Sequence, residues 1–268
     1  MISPLAQVHP NAKIGPNVTI DAFAVIAENV EIGEGSHIMS HAIIMDGARI
    51  GKKCNIFPGA VISAVPQDLK FVGEETLAVI GDNTTIRECV TVNRGTVDKW
   101  KTVVGNNCLL MAYVHVAHDC IIGNNVILVN GVTLAGHITV DDYAIINGLT
   151  AIQQFIHIGA HVYIGGQSSI RKDVPPFVKA AREPLSFTGI NKVGLIRRGF
   201  SKEALEDISN IYHILFIQGH TTSNALKIIN ERVPDSPVRQ QILSFIEGSK
   251  AGIIKRFIKE SADEDITL

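Results

Sequence analysis

Histidines concentrate in the middle of the chain, at a spacing that can support acid–base chemistry. His115 and His118 form an H-x-x-H unit, and Gly136 follows His118 after 18 residues, directly before His137. An imidazole titrates near neutral pH and can take a proton from a hydroxyl group. A glycine N–H, which no side chain obstructs, can stabilise the oxyanion formed when that hydroxyl attacks a carbonyl. The pair of His118 and Gly136 therefore fits acyl transfer.

The elements that must position these residues come from a repeat of six, in which every sixth residue is Ile, Leu or Val. The series comprises Ile14, Ile20, Ile26, Ile32, Ile38, Ile44, Ile50, Ile56, Ile62, Ile80, Ile86, Val92, Val104, Leu110, Val116, Ile122, Leu128, Leu134, Val140, Ile146, Ile152, Ile158, Ile164 and Ile170. A period of six is neither the helical 3.6 nor the strand alternation of 2, so it predicts a short strand and a turn in each unit. Three units then form one coil, and each aliphatic side chain stacks on its equivalent about 4.8 Å away.

This coil gives a geometric test for the histidines, because residues one coil apart share a wall. His118, Gly136 and Gln154 fall in one column, and Asp119 and His137 begin the next. Asp119 would stabilise the cationic form of His118 if the turn lets the two side chains meet. A histidine in a repeat protein is more often a surface or turn residue, and the spacing alone leaves the two interpretations about even.

The repeat is interrupted twice and then ends, which predicts two loops and two domains. Residues 63–79 and 95–103 lose the pattern, and insertions of this kind form surface loops, often at the binding face. Beyond residue 200 the period becomes helical, with Ser201 and Ser236 as helix N-caps. We predict a mainly β domain at 1–190 and a helical domain at 191–268, with a last short helix from Ile253 to Ile258 and a frayed tail at 261–268.

Composition sets limits on partners and location. The formal net charge of −2 gives no general case for nucleic-acid binding. The sequence contains no stretch of about 18 apolar residues, so no membrane span is predicted. The first residues do not resemble a signal peptide, and we therefore expect a cytoplasmic protein. Three of the four cysteines, Cys54, Cys108 and Cys120, fall on the small inward position and are predicted to be core thiols.

Several segments together resemble one family, the bacterial UDP-N-acetylglucosamine O-acyltransferases that begin lipid A synthesis. They are Pro66-Gln67-Asp68-Leu69-Lys70, Ile86-Arg87-Glu88, Asn93-Arg94-Gly95-Thr96, His115 to Cys120, Leu134 to His137, Gln154-Phe155, Ile158 to His161, Asp173 to Pro176 and Arg197 to Phe200. The resemblance implies a left-handed parallel β-helix of hexapeptide repeats followed by a small α-helical C-terminal domain. It also implies a homotrimer with sites between subunits, and no cofactor.

The implied reaction moves a 3-hydroxyacyl chain from acyl carrier protein to the 3-hydroxyl of the sugar nucleotide. His118 would be the general base, Asp119 its electrostatic partner and Gly136 the oxyanion donor. The resemblance also implies roles in substrate binding for Asp68, Lys70, His115, His137, Gln154, Asn191, Arg197 and Arg198. Gly166 would lie in the acyl pocket, where the absence of a side chain favours chains of about 14–16 carbons over about 10.

Basic residues near the end of the repeat could steer the acidic carrier protein. They are Arg171, Lys172, Lys179, Arg182, Lys192, Arg197 and Arg198. Any single one of them is more often plain solvated surface.

Three departures from the family pattern leave alternatives open. Gln153 stands where the family usually has His, Val193 where an acidic residue is common, and Asn147 where Gly is usual. The acceptor could therefore be a 3-amino sugar, and the enzyme a related N-acyltransferase or an acetyl-CoA enzyme. A zinc site of His115, His118 and His137 is a further alternative, but the H-x-x-H spacing is not that of the hexapeptide carbonic anhydrases, so we expect no metal.

Overall fold

The computed structural model describes residues 1–257, and most of this part is a stack of two- to five-residue strands. The strands are Gln7–Val8 (β1), Lys13–Ile14 (β2), Thr19–Ile20 (β3), Val25–Ile26 (β4), Glu31–Ile32 (β5), His37–Ile38 (β6), Ile43–Ile44 (β7), Ala48–Ile50 (β8), Asn55–Ile56 (β9), Val61–Ala64 (β10), Leu77–Ile80 (β11), Thr85–Ile86 (β12), Thr91–Asn93 (β13), Lys101–Val104 (β14), Leu109–Leu110 (β15), His115–Val116 (β16), Ile121–Ile122 (β17), Ile127–Leu128 (β18), Thr133–Leu134 (β19), Thr139–Val140 (β20), Ile145–Ile146 (β21), Ala151–Ile152 (β22), His157–Ile158 (β23), Tyr163–Ile164 (β24), Ser169–Ile170 (β25), Val178–Ala181 (β26), Ser186–Ile190 (β27) and Lys255–Arg256 (β28). The helices are Lys192–Arg197 (α1), Lys202–Phe216 (α2), Thr222–Arg232 (α3) and Pro237–Gly248 (α4).

The strands up to β25 form three parallel sheets, and each sheet takes every third strand of the chain. Regular coils pair residues 18 apart, as in Ile26 with Ile44. The register lengthens at the two insertions, where Ile62 pairs with Val92 and Val92 pairs with Val116. This arrangement confirms the predicted three-unit coil.

The inward residue of almost every strand is buried, because the sixfold aliphatic series fills the axis of the coil. Ile56, Ile86 and Leu110 pair across successive coils of one sheet and are each fully buried. The predicted core thiols are also confirmed: Cys54, Cys108 and Cys120 are buried. Burial raises the pKa of Cys108 to about 11 and that of Cys120 to about 12, so these thiols stay protonated.

The turns between strands place one residue in the left-handed region, usually without a glycine. In the turns after β16, β19 and β22, these residues are Asp119, His137 and Phe155, with φ of 59°, 64° and 66°. A left-handed L-residue costs roughly 1–2 kcal/mol, so the ladder on either side must hold each turn in place. The predicted second column of the wall is thus one continuous row of left-handed turn residues.

The two insertions form loops that are shorter than predicted. β11 begins at Leu77 and β14 begins at Lys101, so the irregular segments are 65–76 and 94–100. The sequence pattern missed these longer strands because their first residues lie before the aliphatic series resumes. The second loop closes tightly, since a Cβ on Gly95 would lie 2.3 Å from the backbone nitrogen of Lys101.

Beyond the coil, β26 and β27 form an antiparallel hairpin, and the chain becomes helical after Asn191, the N-cap of α1. Ser201 and Ser236 cap α2 and α4 with their side chains, as predicted. The predicted last helix is wrong within the described residues, because β28 pairs instead with β27. Ile258 and the tail at 261–268 lie outside the described residues. Among residues 1–257, no helix is long and apolar enough to span a membrane.

Replacing Ile56 with Ala should destabilise the coil strongly. Ile56 is fully buried between Ile38 and Ile86, and a buried Ile→Ala change costs about 2–5 kcal/mol. The matched control is Asn55→Ala in the same strand, where the side chain points outward and the cost should stay below about 1 kcal/mol. Thermal unfolding of the two variants measures the difference, and equal midpoints would contradict a core built from the sixfold series.

Candidate active site

A histidine–carboxylate pair occupies the turn after β16. His118 Nδ1 lies 2.8 Å from Asp119 Oδ2, and the Asp119 side chain is fully buried while that of His118 is 12% exposed. The ionised carboxylate can only accept, so His118 Nδ1 must donate the hydrogen bond. The neutral imidazole therefore carries its proton on Nδ1, and Nε2 is left as the base. The left-handed turn thus brings together two side chains that are adjacent in sequence.

The carboxylate of Asp119 is held by donors from the second loop. The amide and hydroxyl of Thr96 and the amide of Lys99 all donate to it, and the hydroxyl bond is 2.6 Å long. Burial acts to raise the pKa of Asp119, but hydrogen bonds from Thr96, His118 and Lys99 outweigh it and lower that pKa. Asp119 is therefore ionised at neutral pH and ready to stabilise an imidazolium.

Gly136 lies directly beneath the His118 ring, one coil on. A Cβ there would lie 2.7 Å from Cε1 and 2.9 Å from Nε2, so only glycine fits. Its N–H has no hydrogen-bond partner within residues 1–257. The equivalent N–H in another column, that of Asn124, donates to the Asp142 side chain one coil on. The site therefore offers a base and an open donor within reach of one reacting group.

His137 completes a cluster with the pair. Its ring lies edge-on to His118 at 5.0 Å and is stacked on Phe155 at 4.6 Å. His137 Nδ1 lies 3.0 Å from Asp98 Oδ2 and 4.0 Å from Asp119 Oδ2. The column of His118 and Gly136 thus lies beside the column of Asp119 and His137, as predicted. The second loop adds a second carboxylate, that of Asp98.

His115 and Gln154 lie beside this cluster in different environments. His115 Nδ1 is 2.7 Å from the Thr91 hydroxyl, and burial together with the nearby His118 lowers the pKa of His115. It is therefore neutral at pH 7. Gln154 and Gln153 are both exposed in the turn after β22, one coil beyond Gly136. Gln153 thus stands at the surface of the site, outside the hydrogen bonds of the pair.

The cluster has the composition of a metal site. Ligand atoms of His118, Asp119 and His137 lie within 4.8 Å of one another, so Asp119 takes the place that the zinc alternative gave to His115. A carboxylate offers about four lone-pair sites, and Asp119 accepts from four donors: the amide and hydroxyl of Thr96, the amide of Lys99 and Nδ1 of His118. A metal ion would have to displace one of these donors. The expectation of no metal stays a prediction.

Two of the predicted substrate residues lie on a different loop from the donors that hold Asp119. Asp68 and Lys70 are on the first loop, where Asp68 Oδ1 accepts from the amide of Lys70. No hydrogen bond or ion pair inside the described part of the chain joins either residue to His118. Neighbouring Leu69 is fully exposed.

Asn191 and Arg198 are both engaged in the structure around α1. Asn191 caps the helix through its side-chain oxygen and donates to the His161 carbonyl at 2.9 Å, so it is a structural residue within this chain. Arg198 lies over the Tyr143 ring and donates to its carbonyl. Burial and then Arg198 lower the pKa of His161 to about 4, which keeps that ring neutral. Arg197 is exposed at the helix end.

Gly166 lies in the turn after β24, next to two residues of the preceding coil. A Cβ there would meet the Gly148 carbonyl at 3.1 Å and Asn147 Cβ at 3.8 Å, and the residue is exposed. The Asn147 amide donates to the Ile164 carbonyl. Gly166 therefore lies at an exposed surface beside Asn147, one of the three departures from the family pattern.

A basic groove of about 700 Å³ lies between the end of the coil and β28. We define it by Arg171, Lys172, Lys255 and Arg256, with Leu185 and Ile254 in its apolar lining and Glu183 as the one acidic residue among those that line it. None of the four cations forms an ion pair with a residue between 1 and 257. Arg182 stacks on Phe257 at its edge.

Sequence reasoning missed two groups of residues that the structure places at these sites. Lys255 and Arg256 were assigned to a helix, and only the pairing of β28 with β27 brings them to the basic groove. Thr96, Asp98 and Lys99 lie in the second insertion, and the loss of repeat there was a signal that the loop is close to the site. Their partners could not be identified without the fold.

Three family models match the chain. "Udp N-acetylglucosamine O-acyltransferase; Domain 2" covers residues 173–254, "Bacterial transferase hexapeptide (six repeats)" covers 101–136, and "GMPPB C-terminal domain" covers 1–106. The first model spans the hairpin and helices, and the second spans the coil that carries His118.

Relatives match over nearly the whole chain. The acyl-(acyl-carrier-protein)–UDP-N-acetylglucosamine O-acyltransferase of Aliivibrio fischeri is 47% identical over 95% of this chain and all of its own length. The solved UDP-N-acetylglucosamine acyltransferase of Bacteroides fragilis has a TM-score of 0.94 at 53% identity, covering 95% of this chain and 100% of that one. That of Francisella novicida has a TM-score of 0.92 at 41% identity, covering 95% and 94%. The predicted left-handed parallel β-helix with a small helical C-terminal region is confirmed, and the chain belongs to the UDP-N-acetylglucosamine O-acyltransferase family.

Proposed function

We propose that this protein transfers a 3-hydroxyacyl chain from acyl carrier protein to the 3-hydroxyl of UDP-N-acetylglucosamine, the first step of lipid A synthesis. The observation that carries the proposal is the pairing of His118 with buried Asp119 directly above the open N–H of Gly136. Family membership supplies the substrates, and this geometry supplies the chemistry that joins them.

The reaction proceeds by direct attack of the hydroxyl on the thioester. His118 Nε2 takes the hydroxyl proton as the oxygen bonds to the thioester carbonyl carbon. The carbonyl oxygen becomes an oxyanion, which the Gly136 N–H stabilises. Collapse breaks the carbon–sulfur bond, and the imidazolium returns its proton to the departing thiolate. Asp119 stabilises the imidazolium between these two proton transfers.

The remaining substrate contacts complete the site across subunits. We assign Asp68 and Lys70 to the sugar and phosphates, and His115, His137 and Gln154 to the cleft. Asn191, Arg197 and Arg198 belong to the nucleotide or pantetheine end, with Asn191 acting through its cap. Within residues 1–257, no hydrogen bond or ion pair joins Asp68 or Lys70 to His118. A homotrimer with sites between subunits would let both loops serve one reaction.

Acyl carrier protein docks on the basic groove. It is acidic, and four cations without ion-pair partners among residues 1–257 face the groove from β28 and the end of the coil. Complementary charge of this kind speeds association and weakens with added salt. Two of the seven basic residues named from the sequence, Arg171 and Lys172, therefore belong to the proposed docking surface for acyl carrier protein. A third, Arg182, lies at its edge.

His118→Ala should abolish most of the transfer. A positioned general base contributes about 10²–10⁴-fold to rate, so kcat should fall by that factor without loss of the fold. The measurement is transfer from 3-hydroxyacyl carrier protein to UDP-N-acetylglucosamine, with His9→Ala at the far end of the coil as the control.

Three outcomes would contradict the assignment. Wild type that transfers nothing to the N-acetyl sugar but acylates its 3-amino analogue would favour the N-acyltransferase alternative. An unimpaired His118→Ala variant would reject the general base. A stoichiometric metal ion, whose removal by a chelator abolishes activity, would favour the zinc alternative.

Reversing charge in the basic groove should weaken use of the carrier protein. The double variant Arg171→Glu with Lys172→Glu is expected to raise KM for acyl carrier protein by about 10-fold at low salt, with kcat little changed. The difference from wild type should shrink as ionic strength rises, because salt screens the attraction. The control is Lys52→Glu with Lys53→Glu, an exposed pair in the turn after β8; an equal effect there would show only a general charge effect.

Gly166→Met should shift the preferred acyl length downward. Position 166 is exposed, and a Cβ there would lie 3.1 Å from the Gly148 carbonyl, so a longer side chain must extend away from that coil into the proposed acyl pocket. Each buried methylene of the acyl chain that is lost removes about 0.8 kcal/mol of binding. In a competition between acyl carrier proteins of different chain length, Gly166→Ala should shift the preference less than Gly166→Met. The same preference in all three proteins would remove Gly166 from the acyl pocket.

A further inference from the structure

We infer that residues 96–99 form a positioning loop for the two active-site histidines: Thr96 and Lys99 act on His118 through Asp119, and Asp98 acts on His137 directly. The inference rests on the proposed function. None of these side chains is proposed to touch substrate, so their contribution is to hold the reacting groups in one geometry.

The loop is anchored before it reaches the carboxylate. The amide of Gly95 donates to the Leu77 carbonyl, and the Thr76 hydroxyl donates to the Gly95 carbonyl at 2.6 Å. Thr96 then closes the segment by accepting from the amide of Trp100 at 2.8 Å. Donors on a segment fixed at both ends keep their direction during the reaction, as preorganised sites require.

Thr96 determines what Asp119 can do. The Asp119 carboxylate accepts one hydrogen bond from His118 Nδ1–H. Its remaining lone pairs accept from the hydroxyl and amide of Thr96 and from the amide of Lys99. The Nζ of Lys99 also donates to the Asp119 carbonyl at 2.9 Å. The carboxylate therefore cannot rotate away from His118 without breaking buried hydrogen bonds, which fixes Nδ1 as the protonated nitrogen and Nε2 as the base.

Asp98 gives His137 the same tautomer from the solvent side. Its Oδ2 lies 3.0 Å from His137 Nδ1, which leaves Nε2 free. The Asp98 side chain is 57% exposed, whereas Asp119 is fully buried. A solvated pair is worth much less than a buried one, so Asp98 should have the smaller effect. The two carboxylates thus act with unequal strength on two neighbouring rings.

The test is the substitution Thr96→Val, which removes the hydroxyl but keeps the shape and the amide. The substitution removes the bond that the hydroxyl donates to Asp119 and the longer one that it accepts from the Asp98 amide. Losing the bond to the charged carboxylate corresponds to a fall in kcat of about 10- to 100-fold, with KM for both substrates changed less than about threefold. Thr96→Ser should restore most of kcat. The matched control is Thr84→Val, since Thr84 is also buried and its hydroxyl donates to a backbone carbonyl, that of Gly105, in a regular turn of the coil.

A spectroscopic readout separates this inference from the proposed function. Nitrogen NMR of histidine-labelled enzyme should report a single Nδ1–H tautomer at His118 in wild type and a mixture in Thr96→Val. Asp98→Ala should change only the His137 signals and lower kcat by about threefold or less. This readout needs no substrate, so it holds even if the substrates are wrong.

The inference is overturned if Thr96→Val keeps the His118 tautomer and a kcat within about twofold of Thr84→Val. It is also overturned if Thr96→Ser is as impaired as Thr96→Val, since the hydroxyl would then not be the operative group. If Thr96→Val does not fold, Thr96→Ala replaces it in the His118 measurement under the same criteria, and Asp98→Ala still tests the His137 arm through the NMR signals. Wild type without transfer but with the tautomer changes would reject only the proposed function.

Discussion

The structure depends on one constraint: the backbone hydrogen bonds between coils hold residues 18 apart in register, with stacked aliphatic side chains inside. The hydrogen-bonded pairing of Val116 with Leu134, and of Leu134 with Ile152, fixes the height of the turns that follow each strand. His118, Gly136 and Gln154 inherit this height because each stands two residues past its strand. The column geometry of the candidate site is therefore set by the ladder of hydrogen bonds between coils.

The same constraint explains which parts of the protein could be predicted from sequence. The sixfold period is visible in the sequence itself, and it is enough to predict the coil, the inward cysteines and the proximity of His118 to Gly136. The pairing of His118 with Asp119 depends on a left-handed turn at Asp119, with φ of 59°. The sequence does not predict this turn, because the residue there is not glycine. The contacts of Thr96 could not be predicted, because an insertion breaks the periodicity that makes residues comparable.

The C-terminal region shows the limit of local pattern. Helices α2 and α4 were predicted correctly because their Ser caps and apolar spacing are local signals. Ile253 and Ile254 have the same apolar character, yet they lead into β28, which is paired with a strand some 70 residues earlier in the chain. That pairing turns Lys255 and Arg256 toward the end of the coil, and a surface of four cations results from two segments that are each unremarkable alone.

Insertions matter in this fold because regular turns cannot surround a carboxylate. Within the repeat, the N–H of a turn residue donates within its own turn, as from Val114 to the Met111 carbonyl, or to a neighbouring coil, as from Asn124 to the Asp142 side chain. Asp119 needs several donors at once to remain ionised while fully buried, and a single column cannot provide them. The second loop leaves the ladder at Asn93 and returns at Lys101, so its amides can approach Asp119 from a direction that no coil residue occupies. The departure from the repeat is thus a condition for placing a charged partner beside His118.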